Sequence, residues 1–308
     1  MEAAIFVLVV FLIVSIIFTF LARYAIRPKV WSLENGKKYL AEMSMMEGES
    51  IEIENEHIIQ SFDGYEMYVG FVPGDVNNKH YVIITHGYTS NRYGVYKFAA
   101  LYRKMGYNSI IYDNRGHGAN KPTVCTFGLK EAKDLMAVIE DTYQRYGTDI
   151  KLGLHGESMG SGIQITALAY KPKIDFIVND CGYADILNVL RWKCTQEFHL
   201  PGWFADIASI YARIFYGYSF HQVRPIDNLP ENEIPICFVH GEADAFVHMQ
   251  HSLRMKKATK GYSELHLYPE VEHAASVEMD TARYMTMLIQ FLEKVYPEDA
   301  PVIQESAS

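Results

Sequence analysis

From His80 onward the chain alternates short, continuous apolar runs with longer stretches of helical periodicity. The runs at 81–85 (Tyr-Val-Ile-Ile-Thr), 108–112, 150–154, 174–179, 235–239 and 264–268 read as strands buried on both faces. Between them, residues 93–105, 129–146, 159–170, 247–257 and 276–295 place apolar side chains at helical spacing. Strands alternating with helices predict βαβ units and a mostly parallel sheet. Two further strand candidates, 51–60 and 66–72, precede this pattern and are joined by the turn signal Phe62-Asp63-Gly64-Tyr65. Their near-alternating character predicts an antiparallel edge.

Two stretches depart from this rhythm. Residues 5–22 form an apolar run of eighteen residues without a charge. That length suits a transmembrane helix and exceeds a usual signal-peptide core. Arg23 and Tyr24 stand where a cleavage site needs small residues, so 1–28 reads as an uncleaved membrane anchor, with a cleaved signal peptide as the alternative. Arg23, Arg27, Lys29, Lys37 and Lys38 follow the run, and the positive-inside rule places the body in the cytoplasm, as a single-pass membrane protein. The second departure is 182–230, where Trp192, Phe198, Trp203, Phe204, Ile210, Tyr211, Phe215, Tyr216, Tyr218 and Phe220 occur at helical spacing between two core strands. It predicts a helical insertion over one end of the sheet, whose aromatics either pack it on the body or line an apolar acyl pocket. The organisation expected is an anchor (1–28), a weakly helical juxtamembrane linker (29–48), one globular unit (49–297) and a polar, frayed tail (298–308).

Charge narrows the function classes. Residues 49–308 hold 23 Lys/Arg against 33 Asp/Glu, a net −10, which disfavours a nucleic-acid partner. Cys125, Cys181, Cys194 and Cys237 show no ligand spacing, and Cys237 lies in an apolar run, so a buried free thiol is expected there and neither metal nor cofactor is called for.

The chemistry centres on Leu152–Ile163, L-G-L-H-G-E-S-M-G-S-G-I, where Gly156, Ser158 and Gly160 make a G-x-S-x-G pattern between a strand and a helix. Such a turn strains the serine backbone and lifts its hydroxyl clear of the sheet, and glycines on either side allow strand and helix to pass closely. Other loops that follow strands should converge on the same edge of a parallel sheet. They are 85–90, 113–118, 240–247 and 271–274. Ser158, Asp244 and His273 thus occur in the order Ser…Asp…His, each just past a strand. Ser158 would attack, His273 would take its proton, and Asp244 would hold the imidazole tautomer. Rivals for the histidine are His266, inside a strand, and His248 and His251, which read as a solvated helix face. Rivals for the acid are Glu242 and Asp180, the latter ending the sixth strand. His86, His117 and His240 flank loop glycines and read as shaping those loops. Asp113 and Arg115 are expected to tie the second loop together by a charge-assisted hydrogen bond.

The segments H-G-Y (86–88), D-N-R-G-H-G (113–118), G-E-S-M-G (156–160), H-G-E-A-D-A-F-V (240–247) and E-H-A-A-S (272–276) resemble α/β-hydrolase-fold serine hydrolases, over roughly residues 60–295. The chain is similar to bacterial membrane-anchored hydrolases of the esterase-like and dipeptidyl-peptidase-like groups. The resemblance implies an eight-stranded, mostly parallel sheet with a cap between strands six and seven. It also implies an oxyanion hole made by the backbone N–H groups of Met159, after the nucleophile, and Tyr88, after His86-Gly87. The expected activity is cleavage of a carboxylic ester or related acyl bond in a small, possibly lipid-like substrate. A peptidase, an acyltransferase and a catalytically silent binding protein on the same fold are the alternatives, and the oligomeric state is left open.

Overall fold

The computed structural model describes residues 1–47, 53–75 and 78–299. The strands are β1 (Glu54–Gln60), β2 (Glu66–Val72), β3 (His80–Thr85), β4 (Asn108–Tyr112), β5 (Lys151–Glu157), β6 (Phe176–Asp180), β7 (Ile236–Gly241) and β8 (Ser263–Tyr268). The helices are α1 (Glu2–Ile26), α2 (Leu33–Glu47), α3 (Tyr96–Lys104), α4 (Glu131–Tyr146), α5 (Met159–Ala167), α6 (Ile186–Gln196), α7 (Phe204–Tyr216), α8 (Gln250–Ala258), α9 (Ser276–Met279) and α10 (Thr281–Val295). The first strand begins at Glu54; Ile51 and Glu52, where the pattern started it, lie outside the described residues, as does 300–308 of the expected tail.

All eight strands form one sheet in the order β1-β2-β4-β3-β5-β6-β7-β8. β1 and β2 pair antiparallel, as do β2 and β4, and every later pair is parallel. The residues of β3, β4, β6 and β7 are buried throughout, which is why they read as unbroken apolar runs. Their side chains alternate between two cores. Ile83, Ile177, Ile236 and Phe238 pack with α1, α4, α5, α6 and α7. Val82, Ile84, Val178, Cys237 and Val239 pack with α3 and α10. The order reverses at β3, which has β4 on one side and β5 on the other. Loops leaving the C-terminal ends of β3 and β5 therefore diverge and leave a crevice between them.

Local chemistry sets several boundaries. The terminal helical pattern 276–295 is broken at Asp280, whose backbone leaves the helical region and whose side chain caps α10 by accepting from the Arg283 N–H at 3.0 Å. The stretch 182–230 contains α6 and α7, and Asp185 caps α6 by accepting from the Asn188 N–H at 2.9 Å. The weak pattern after the apolar run forms α2. All four cysteines are buried free thiols.

α1 is long and apolar enough to cross a membrane, and most of it is exposed in the isolated chain. Its C-terminal half is not. Phe18, Ala22 and Ile26, spaced by one turn, are buried against the body. The end of the helix is also tied down by hydrogen bonds. The Cys125 N–H donates to Ile26 O at 2.8 Å, and the Tyr88 hydroxyl donates to Ala25 O at 2.7 Å.

Candidate active site

The turn after β5 is as tight as the glycine pattern requires. Ser158 has φ 53° and ψ −109°, a conformation non-glycine residues avoid, which costs on the order of 1–3 kcal/mol. It is held there by its N–H, which donates to Asp180 O at 2.8 Å, and by its carbonyl, which accepts from the Gly162 N–H at 3.2 Å. A side chain at Gly156 would collide with the backbone at Gly160 and Ser161, and one at Gly160 would collide with the Thr85 carbonyl. β5, α5 and β3 can approach this closely only because both positions lack a Cβ.

Ser158, His273 and Asp244 come together. Ser158 Oγ lies 2.8 Å from His273 Nε2, and His273 Nδ1 lies 2.6 Å from Asp244 Oδ2. Asp244 is buried and surrounded by donors. The N–H groups of Phe246 and Val247 both donate to its Oδ1 at 2.8 Å. His240 Nε2 lies 3.1 Å from its Oδ2 and 2.6 Å from Val247 O, while His240 Nδ1 faces the Ser252 hydroxyl at 2.7 Å. Burial alone would raise the Asp244 carboxyl, but the hydrogen bonds from His240, His273 and Val247 outweigh it and hold the group well below the usual carboxylate range. Asp244 is therefore an anion at neutral pH.

Gly87 lies against the serine, since a Cβ built on it would sit 3.5 Å from Ser158 Cβ. Among the described residues, neither the Tyr88 nor the Met159 backbone N–H has a protein acceptor. The loop carrying Tyr88 is fixed from below. His86 Nε2 accepts from the Asn114 N–H at 2.9 Å, and the Asn114 amide donates back to His86 O at 3.0 Å. Burial depresses the His86 pKa to about 3, so its imidazole stays neutral and keeps that acceptor. His86 and His240 thus shape their loops as expected.

The rivals are engaged elsewhere. His266 Nε2 lies 2.9 Å from Glu264 Oε2 on β8, and Glu242 is exposed. Asp180 accepts from the Tyr284 hydroxyl at 2.9 Å. His251 corrects the expectation of a solvated face: it is buried and accepts from the Ala184 N–H at 3.1 Å. The expected Asp113–Arg115 tie is also corrected. Asp113 pairs with Arg92, and Arg115 pairs with Asp134 at 2.6 Å and Asp63 at 3.0 Å. Two residues apart on one loop, the two side chains leave in different directions and find partners on other elements.

Cys181 Sγ, Asp244 and His273 put three potential metal-ligating atoms within 4.8 Å of one another. Burial and the nearby carboxylates of Asp180, Glu157 and Asp244 push the thiol pKa well up, so it stays protonated, and both nitrogens of His273 are already engaged. The three suit a hydrogen-bonded relay beside a packed thiol better than a ligand set.

Sequence reasoning missed two parts of the site. One is an ion cluster around the buried Lys97, whose Nζ lies 2.6 Å from Glu157 Oε2 and 2.9 Å from Oε1 of the exposed Glu278, and donates to Ala274 O at 2.8 Å. Glu157 directly precedes the serine, and Ala274 directly follows His273 with φ 59°. Lys97 therefore pins the histidine loop to α3, although a lysine in an amphipathic helix reads as surface. The other is the share of α1 in the roof, for which the pattern offered only the 182–230 insertion. A cavity of about 660 Å³ opens above Ser158 and His273, and its walls include Leu21, Tyr24 and Ala25 of α1 as well as Val189, Phe204 and Ala208 of the insertion. The N-terminal apolar helix is part of the pocket.

Comparison with known proteins agrees with this architecture. A family model described as serine aminopeptidase, S33, matches residues 76–181, and one for the dienelactone hydrolase family matches residues 208–288. The uncharacterised protein YqkD of Bacillus subtilis (strain 168) is 29% identical over 245 residues, covering 77% of this chain and 79% of that one. An esterase of Pyrococcus furiosus superposes with a TM-score of 0.66 at 21% identity, covering 79% of this chain and 91% of its own. The acylaminoacyl peptidase of Pyrococcus horikoshii superposes with a TM-score of 0.62 at 12% identity, covering 87% of this chain and 44% of its own. The sheet order places the chain in the α/β-hydrolase fold, and with the two family matches it is a serine hydrolase acting on ester or peptide bonds.

Proposed function

We propose that the chain hydrolyses carboxylic esters with apolar acyl groups, through an acyl-enzyme on Ser158. The observation that carries this reading is the continuous contact from Ser158 Oγ to His273 Nε2 at 2.8 Å and from His273 Nδ1 to Asp244 Oδ2 at 2.6 Å. As Ser158 Oγ attacks the ester carbonyl, its proton passes to His273 Nε2, and the imidazolium is stabilised by the Asp244 anion. The oxyanion is held by the N–H groups of Tyr88 and Met159, each such donor being worth about 3 kcal/mol in the transition state. Collapse breaks the ester C–O bond, and His273 returns its proton to the leaving alkoxide. Water, deprotonated by His273, then splits the acyl-enzyme to a carboxylic acid and free Ser158.

The apolar cavity favours an acyl chain as the bound group. The chain is held at a membrane through α1, with the hydrolase body on the cytoplasmic side. A second reading, cleavage of a peptide bond beside a free amine, is favoured by the surplus negative charge of Glu157 and Glu278 over Lys97 at one end of the cavity. Against it, Lys97 bridges the two carboxylates through Glu157 Oε2 and Glu278 Oε1 and offsets part of their charge.

A fluorophosphonate probe tests the nucleophile. It should label the wild-type chain and spare Ser158→Ala, whose turnover of p-nitrophenyl esters should fall about a millionfold. A folded wild-type protein that resists the probe would overturn the reading. Faster turnover of aminoacyl p-nitroanilides than of p-nitrophenyl esters would select the peptidase.

A further inference from the structure

α7 buries one face and leaves the other bare. Ala205, Ala208, Ser209 and Ala212 point inward, and their small side chains let α7 settle closely on the body. Trp203, Ile210, Ile214 and Phe215 point outward and are 54–66% exposed, and the charged residues among them are paired, Asp206 with Arg191 at 2.5 Å and Arg213 with Gln222 Oε1 at 3.2 Å. An apolar face of this kind needs a partner.

The neighbour of that face identifies the partner. α1 packs along α7. Tyr24 meets Phe198 at 5.8 Å between ring centroids, Phe18 meets Phe204 at 5.2 Å, and the Tyr211 hydroxyl donates to Ser15 Oγ at 2.8 Å. The pairing shows that the two helices run in opposite directions, so the C-terminal end of α7 climbs alongside the apolar middle of α1. Arg23 is the first charge after the apolar run, and Ser15 lies eight residues before it, about 12 Å along the axis. Half of a bilayer's hydrocarbon core is about 15 Å. If α1 spans a membrane, Tyr211 and its outward neighbours lie within one leaflet. The acidic charge of the body does not oppose this, because residues 182–230 carry four Lys/Arg against four Asp/Glu.

We infer that the outer face of α7 is a membrane-docking surface, continuous with α1, and that the Ser158 pocket draws the acyl ester of a bilayer amphiphile sideways out of that leaflet. Phe204 connects the two halves of this statement, since it lines the cavity above Ser158 and also touches Phe18 across the α1–α7 seam. Tyr24 and Phe198, which meet at the same seam, line the cavity as well. Phe204, Tyr24 and Phe198 therefore offer an acyl chain arriving along the α1–α7 seam apolar contacts on its way to the serine. The docking surface stands on its own observations; the substrate class rests on the reading of Ser158 as nucleophile.

The test uses the full chain in phosphatidylcholine vesicles containing acyl-brominated phosphatidylcholine. With Trp31→Phe and Trp192→Phe, Trp203 is the one remaining tryptophan, and its fluorescence should fall by about half as brominated lipid replaces ordinary lipid. Ile214→Glu, and the milder Ile214→Ser should the first fail to fold, should cut kcat/KM for a long-chain ester embedded in the vesicles, by about tenfold or more for the glutamate. Turnover of a short, water-soluble ester should not change, since Ile214 does not line the cavity. Unquenched Trp203 overturns the proposal, whether the face is bare or covered by a second copy. Equal effects of Ile214→Glu on both esters also overturn it. A wild-type chain that hydrolyses neither ester while Trp203 is quenched defeats the catalytic reading and leaves the docking surface standing.

Discussion

The floor and the roof of the pocket are built by different physics. On the floor, at the C-terminal ends of β3, β5 and β7, nearly every position is set by directional bonds. Asp244 alone accepts from Phe246, Val247, His240 and His273. In the roof, made by α1, α6 and α7, polar ties such as Arg191–Asp206 and Tyr211–Ser15 join the helices to one another, while many of the contacts that shape the cavity are between rings and aliphatic groups. Directional bonds fix a proton-transfer geometry to fractions of an ångström, while apolar surfaces fix only volume and chain length. Lesions in the floor should therefore act on every substrate alike, and lesions in the roof should act by degrees and according to acyl length.

The largest effect that can break this contrast is at Asp244. Asp244→Asn keeps the shape but favours the wrong His273 tautomer, and kcat should fall about ten-thousandfold for short and long esters equally. Glu242→Gln, two residues away and exposed, should leave kcat unchanged. Similar losses in the two variants, or a loss that depends on chain length, would contradict a floor built by directional bonds.

A smaller effect distinguishes two carboxylates that end neighbouring strands. Asp244 is held low by its donors. Asp180 is fully buried beside Glu157, with the Tyr284 hydroxyl as its donor, and burial followed by the Glu157 charge raises its pKa from 3.8 to about 7. The folded protein thus holds this proton more tightly than the unfolded chain does. Between pH 3.8 and about 7 the unfolded state binds fewer protons, so stability falls as pH rises through that window. Asp180→Asn removes the titration while keeping an acceptor for Tyr284. Denaturant melts at several pH values should show the wild type losing on the order of a few kcal/mol across the window that the variant does not lose. Parallel curves would show that Asp180 titrates normally and that its burial is relieved in some other way.

The floor was largely legible in the sequence because each of its residues announces itself locally. Ser158, Asp244 and His273 each follow an apolar run, in one chain order. What was misread is what depends on distant partners. Asp113 and Arg115 looked like a pair because they are close in sequence, whereas their partners Arg92 and Asp134 come from other elements. His251 looked solvated on periodicity alone, yet the insertion covers it. The roof was least legible. The apolar run at 5–22 reads the same whether lipid surrounds it or the body covers one stripe, and Phe18, Ala22 and Ile26 mark that stripe with residues no different from their neighbours. A membrane anchor and a pocket wall use the same alphabet.

The smallest effect, and the one that most sharpens the contrast, is therefore in α1. Leu21 lines the cavity from the helix that sequence alone assigns to the bilayer. If α1 were only a tether, Leu21→Ala would do nothing to a reaction at Ser158, because alanine is an equally good helix former and leaves the run apolar. If α1 is a wall, the truncation removes apolar contacts that a long acyl chain reaches and a short one does not. Missing methylene contacts in a hydrophobic pocket are worth about 1–3 kcal/mol, so kcat/KM for a long-chain p-nitrophenyl ester should fall about tenfold. The value for the acetyl ester should not move. The measurement is made on the full chain in detergent micelles, where the bilayer cannot contribute and only the wall remains. An unchanged long-chain value would remove α1 from the pocket and leave the roof to α6 and α7 alone.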